Sequence, residues 1–166
     1  GCKTAALPTS VTIGIMDTPD MLEEAASIYA KGFRIIKIKT GLEVEADIER
    51  VTKLTEKYRG KMLIRVDANQ GYDLVQLQRF MQATQSLDIE LIEQPLPAGN
   101  EDQLRQLSAT ERTLLAADES LLDAASAMAL CQPPLPYGIF NIKLMKCGGI
   151  RGAKEIALIA QQRNID

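Results

Sequence analysis

Apolar residues along this chain fall into two alternating rhythms. Short, nearly continuous apolar runs give way to longer stretches in which apolar positions recur every three or four residues. The first rhythm predicts buried strands and the second amphipathic helices, so the chain reads as strand then helix, six times over. Strand 1 is expected over about Ser10 to Ile15. Helix 1 starts at Thr18, a good N-cap, with Pro19 at the first helical position, and stops at Gly32 as a C′ residue. Strand 2 runs from Phe33 to about Ile38, and helix 2 follows Gly41 and ends at Gly60. Leu42, Ala46, Ile48, Val51, Leu54 and Tyr58 are spaced for one buried face of that helix. Strand 3 is about Met62 to Val66, and Asp73 can cap helix 3, where Leu74, Leu77, Phe80 and Met81 recur at helical spacing. Strand 4 is about Ile89 to Ile92, after which Pro95 and Pro97 break the chain and a short helix 4 follows Asn100. Strand 5 is about Leu114 to Ala117, and helix 5 is the alanine-rich stretch from about Leu121 to Leu130. Pro133, Pro134 and Pro136 make a stiff connection to strand 6, about Ile139 to Ile142. Helix 6 follows Gly148-Gly149, with Ile150, Ala153, Ile156, Ala157 and Ile159-Ala160 on its apolar side.

Alternating strands and helices imply an α/β fold with a parallel sheet covered on both faces. Two architectures fit: an open doubly wound sheet, which places its ligand at one switch point, and a (β/α)₈ TIM-type barrel. The polar residues that end the runs decide between them. Lys39, Asp67, Glu93, Asp118 and Lys143 each close one apolar run, at steps of 28, 26, 25 and 25 residues by subtraction of their numbers. In a barrel the C-terminal ends of all strands converge on one mouth. One charged residue per strand, from strand 2 to strand 6, suits that geometry. The chain then covers about six βα units, and strands 7 and 8 are expected beyond Asp166. The loop-like opening and the lack of an initial Met fit a segment of a longer protein.

Composition narrows the chemistry. The 166 residues, 46% hydrophobic and 25% charged, suffice for one ordinary core. A net charge of −3 and 4% aromatic residues give no reason to expect nucleic acid or an anionic membrane as partner. No run approaches the length of a membrane span, and the first residues lack the apolar stretch of a signal peptide. Three unclustered cysteines, Cys2, Cys131 and Cys147, argue against a disulfide framework and for a cytoplasmic home. With no histidine in the chain, a Ser-His-Asp triad, a His-bound zinc and a His general base are excluded within these residues.

Lys37 and Lys39 are two apart on a strand and so share a face. A neighbouring ammonium lowers a lysine's pKa, which makes a usable base near neutral pH. The plainer reading is a solvated strand end. Asp67, Glu93 and Asp118 are hard oxygen donors on three successive strands, suited to Mg²⁺ or Mn²⁺ rather than zinc. A single Asp after a strand is more often a helix cap. Three acids at matched strand ends, bracketed by lysines, reverse that preference. Asn69 could orient Asp67 or a bound water. Glu119 adjoins Asp118, and spacing alone does not choose between them. Strands 2 and 6 lie opposite one another in an eight-strand barrel, so Lys39 and Lys143 would approach a substrate from opposite sides. Lys146 is expected in the loop, and Gly148-Gly149 as a tight turn into a helix rather than an anion nest.

Together, Lys37-Ile38-Lys39, Asp67-Ala68-Asn69, Ile92-Glu93-Gln94-Pro95, Ala117-Asp118-Glu119-Ser120 and Lys143-Leu144-Met145-Lys146-Cys147-Gly148-Gly149 resemble the enolase superfamily, in its muconate-lactonizing-enzyme subgroup. Such sites pair a Lys or His base with Mg²⁺ that stabilises an ene-diolate. The resemblance implies that Lys39 and Lys143 are the acid/base pair, that Lys37 tunes Lys39, and that Asp67, Glu93 and Asp118, rather than Glu119, bind the metal. Asn141-Ile142-Lys143-Leu144-Met145-Lys146 with the double glycine looks most like the dipeptide epimerases of the Ala-Glu type. An isomerase acting on a small carboxylate, a dipeptide, is therefore the expectation. Muconate cycloisomerase and o-succinylbenzoate synthase are alternatives on the same site, and a non-catalytic binding protein is a third reading. The family's N-terminal capping domain and the last-strand acids that hold a dipeptide amino group are expected outside this segment. Cys147 stands where relatives often have Ser or Thr. The oligomeric state stays open, a homo-oligomer included.

Overall fold

The computed structural model describes residues 8–166. Its strands are β1 (Val11–Ile13), β2 (Ile35–Lys39), β3 (Leu63–Asp67), β4 (Ile89–Glu93), β5 (Leu115–Ala117) and β6 (Ile139–Phe140). Its helices are α1 (Thr18–Ala30), α2 (Val44–Tyr58), α3 (Leu74–Thr84), α4 (Glu101–Leu104), α5 (Ala109–Thr113), α6 (Ala124–Leu130) and α7 (Ile150–Gln162). The six strands form one sheet in the order β1-β2-β3-β4-β5-β6, and every pairing is parallel. A doubly wound sheet reverses its strand order at a switch point. This one does not: each strand lies beside its predecessor, as in a barrel.

Side-chain alternation explains where the core sits. In β2, Ile36 and Ile38 are fully buried, while Lys37 and Lys39 between and beyond them are only half-buried. Ile64 and Val66 repeat the pattern on β3. Against these residues pack Val51, Leu54 and Tyr58 of α2 and Leu77 and Phe80 of α3. One face of the sheet thus carries the apolar core with the helices, and the other carries the polar residues into the bore.

Several boundaries differ from the sequence reading, each for a local reason. Asp17, not Thr18, caps α1: its carboxylate accepts from the Asp20 N–H, which moves Pro19 one place into the first turn. Gly32 does follow the cap, with φ +92°. Strands β2, β3 and β4 extend to include Lys39, Asp67 and Glu93, because the ladder pairs these three residues. Strand β6 is shorter than expected, and Lys143 lies three residues past it. Helix α6 begins at Ala124, where Asp123 and Ser126 form a capping box. The short α5 was not anticipated, although its capping box, Ser108 with Glu111, stands in the sequence. Asp73 caps α3 as expected. Among the described residues, no helix is long and apolar enough to cross a membrane. Cys2 lies outside the described residues.

Candidate active site

The strand ladder brings the predicted residues to one level. Lys39 pairs with Asp67, and Asp67 with Glu93, across β2, β3 and β4. Asp118 directly follows β5, and Lys143 lies in the turn after β6. Asp67, Glu93 and Asp118 are all buried.

Ammonium and amide groups link these carboxylates into one network. Lys37 Nζ lies 2.8 Å from Asp67 Oδ2 and 2.8 Å from Glu93 Oε2. The Asn69 backbone N–H donates to Asp67 Oδ1 at 3.1 Å, and Lys39 Nζ donates to Asn69 Oδ1 at 2.7 Å. Asn141 Nδ2 donates to Glu93 Oε1 at 2.8 Å. Lys143 Nζ donates to Asp118 Oδ2 at 2.5 Å and stands 3.8 Å from Glu93 Oε1. Lys146 Nζ donates to Asp118 Oδ1 at 2.5 Å and also to the Asp118 carbonyl. The chain of contacts therefore runs from Lys39 to Lys146 without a gap.

Burial and charge act in opposite senses along it. Burial works against the Lys37 ammonium, but Asp67 and Glu93 outweigh it and hold its pKa above the usual lysine value. Lys37 is thus a fixed positive charge on the face it shares with Lys39. Burial pushes the Glu93 carboxyl up, and nearby Asp67 adds to the rise, so Lys37 and Asn141 only partly offset it. Burial also opposes the Asp118 carboxylate, yet Lys143 and Lys146 together hold its pKa below the ordinary range.

A family model described as enolase C-terminal domain-like matches residues 20–166. The chain belongs to that family. A dipeptide epimerase from Methylococcus capsulatus, solved in complex with Mg and the dipeptide L-Arg-D-Lys, matches at TM-score 0.93 and 51% identity. That match covers 96% of this chain and 45% of that one. An L-Lys-D/L-Arg epimerase from Desulforapulum autotrophicum is 50% identical over 96% of this chain and 45% of the relative. An L-Ala-D/L-Glu epimerase from Francisella tularensis subsp. novicida is 29% identical over 99% of this chain and 47% of the relative. The chain thus spans about half the length of the curated relatives it matches. The α/β sheet is the corresponding part of an enolase-superfamily barrel.

The family's fold implies a divalent metal, and the donor set here can be tested against one. Three buried carboxylates with neither His nor Cys beside them are the chemistry of a hard cation. The Lys37 ammonium, held equally by Asp67 and Glu93, shows that this pair already receives a cation. Among the described residues, no three acids, cysteines or histidines converge closely enough to chelate an ion as they stand. Lysine ammonium groups lie between the acids instead, so chelation requires Lys37 and Lys143 to release oxygens. In identity and burial the donors fit.

Some members of this network escape a reading of the sequence. Lys146 lies in the loop, as expected, but its ammonium reaches Asp118. Asn69, expected to orient Asp67, holds it through its backbone N–H and accepts from Lys39 with its side chain. Asn141 and Gln94 carried no signal beyond their place in short motifs. Among the described residues, Glu119 makes no ion pair with the lysines of the network, and its buried Oε2 has no hydrogen-bond partner. Gly148 and Gly149, with φ +74° and +97°, form the tight turn into α7.

Proposed function

We propose that this chain is the barrel portion of a Mg²⁺-dependent dipeptide epimerase, which removes the proton α to a carboxylate and returns one to the opposite face. One observation carries the reading: a continuous network in which lysines from β2 and from beyond β6 flank three buried carboxylates of the strands between them. Asp67, Glu93 and Asp118 would hold the metal. When bound, Mg²⁺ supplies positive charge for the substrate carboxylate as its α-proton leaves. Lys39 ends β2 and Lys143 lies just beyond β6, four strands on, and the two exchange the proton on the two sides of the α-carbon. Lys37, kept charged by its two carboxylates, is the partner of Lys39. In this reading the remaining barrel strands and an N-terminal capping domain lie outside residues 1–166.

The names of the relatives direct the choice of substrate. Identity is 50% to the relative named L-Lys-D/L-Arg epimerase and 29% to that named L-Ala-D/L-Glu epimerase. A dipeptide with basic side chains is therefore the substrate class proposed. The test is ¹H NMR of α-proton exchange in D₂O, on the full-length protein with Mg²⁺. L-Lys-L-Arg and L-Arg-L-Lys are expected to take up deuterium at one α-carbon with inversion, faster than L-Ala-L-Glu. No metal-dependent exchange with any dipeptide would overturn the epimerase reading.

A further inference from the structure

The end of β5 is held by a side chain where a backbone would ordinarily serve. Strand β4 stops bonding β5 through its main chain at Gln94, whose N–H donates to the Ala116 carbonyl at 2.8 Å. The Gln94 backbone then turns left-handed, with φ +36°, and its carbonyl accepts from Gln70 on the β3 side. With that carbonyl turned to Gln70, it does not serve the N–H groups of Asp118 and Ser120 beyond the end of β5.

The Gln94 side chain replaces it. Gln94 is fully buried. Its Oε1 accepts from the Asp118 N–H at 3.0 Å and from the Ser120 N–H at 3.1 Å. Its Nε2 faces three oxygens, the Leu96 carbonyl at 2.9 Å, Ser120 Oγ at 2.8 Å and Tyr137 OH at 3.0 Å, which share its two hydrogens. Ser120 Oγ donates in turn to Glu101 Oε1 at 2.5 Å. The amide is thus oriented by its own bonds, with oxygen toward β5 and nitrogen toward carbonyl and hydroxyl oxygens. A left-handed non-glycine residue is strained and persists where the surroundings over-determine it. Here the side chain provides that determination.

We propose that Gln94 is a positioning residue of this site: its amide sets the backbone after β5 so that Asp118 faces the mouth beside Glu93. The inference rests on the metal reading above and adds to it the part that aims Asp118, which lies beyond the end of its strand. Glu93 is its covalent neighbour, and Asp118 hangs from its Oε1.

The experiment uses the full-length protein and two measurements, Mg²⁺ titration by calorimetry and amide hydrogen exchange. Gln94→Met keeps the volume and removes the amide. It is expected to weaken Mg²⁺ binding about tenfold or more and to speed exchange at the Asp118 and Ser120 amides about tenfold, with β2 and β3 amides unchanged. Gln94→Glu keeps an acceptor for both N–H groups and should retain their protection within about threefold; it decides the matter if the Met variant does not fold. Tyr137→Phe loosens the same network on the side away from Asp118. It should lower the Tm and leave the Mg²⁺ affinity within about twofold of wild type. Unchanged Mg²⁺ affinity and exchange in folded Gln94→Met would overturn the proposal, as would equal weakening of Mg²⁺ binding by Tyr137→Phe. A wild type that binds no Mg²⁺ defeats the metal reading instead, and the exchange measurement then decides the role of Gln94 alone.

Discussion

The two halves of the mouth are built by different means. On the β2–β3–β4 side the strands are five residues long, and main-chain register alone levels Lys39, Asp67 and Glu93. On the β5–β6 side the strands are three and two residues long, and Asp118 and Lys143 lie beyond their ends. There the aiming passes to side chains: Gln94 holds Asp118 by its N–H, Asn141 reaches Glu93, and Lys146 braces Asp118. A ladder fixes a residue by many cooperative bonds. A single amide fixes it by one or two, so this second half should respond to single substitutions that the first half absorbs.

The largest effect should fall on both halves alike. Lys39→Ala and Lys143→Ala are each expected to reduce α-proton exchange by about a thousandfold or more, read by NMR in D₂O; near-normal turnover in either would remove that lysine from the mechanism. The next is confined to the first half. A Cβ on Gly71 would overlap the backbone of Gly41, and one on Gly41 would overlap the Ala68 carbonyl. Gly71→Ala should destabilise the protein by about 3 kcal/mol, measured by urea unfolding; a loss under about 0.5 kcal/mol would show that the loops after β2 and β3 are not locked together. In the second half, Asn141→Ala should weaken Mg²⁺ binding about tenfold with little change in Tm, and an equal effect on both would mean Asn141 serves the fold instead.

The smallest effect separates the halves by pH, in metal-free protein. The Glu93 pKa is raised on folding, so its contribution is present below the unfolded carboxyl value and is lost as pH rises through the folded one. The Asp118 pKa is lowered, so its contribution is present above the unfolded value and is lost as pH falls through the folded one. At pH 7, Glu93→Gln should therefore raise the Tm and Asp118→Asn should lower it. Shifts of the same sign in both would refute this assignment of charge and burial.

What was legible in the sequence follows from how local each feature is. A charged residue at the end of an apolar run is a local signal, and Lys39, Asp67, Glu93, Asp118 and Lys143 all carry it. The shared face of Lys37 and Lys39 follows from the two-residue period of a strand. Parallel, sequential strands follow from the alternation of rhythms. Gln94 and Asn141 had no such signal, because a polar residue between a strand and a turn acquires its role only when loops distant in sequence meet. Gln94 lies 24 residues from Asp118, and Asn141 lies 48 from Glu93. Lys146 is long enough to reach back from a loop to a buried acid, which periodicity does not register.

The abutting backbones of Gly41 and Gly71 bear on how such a protein can change over generations. Neither position accepts a side chain without moving the other, so the segments after β2 and β3 tolerate little drift. Gly99, Gly148 and Gly149, after β4 and β6, meet nothing within 4 Å of an added Cβ, but their left-handed backbone, with φ +95°, +74° and +97°, itself favours glycine. A side chain is therefore resisted by a neighbouring backbone on the Lys39 side, and by the conformation of the chain itself in these loops.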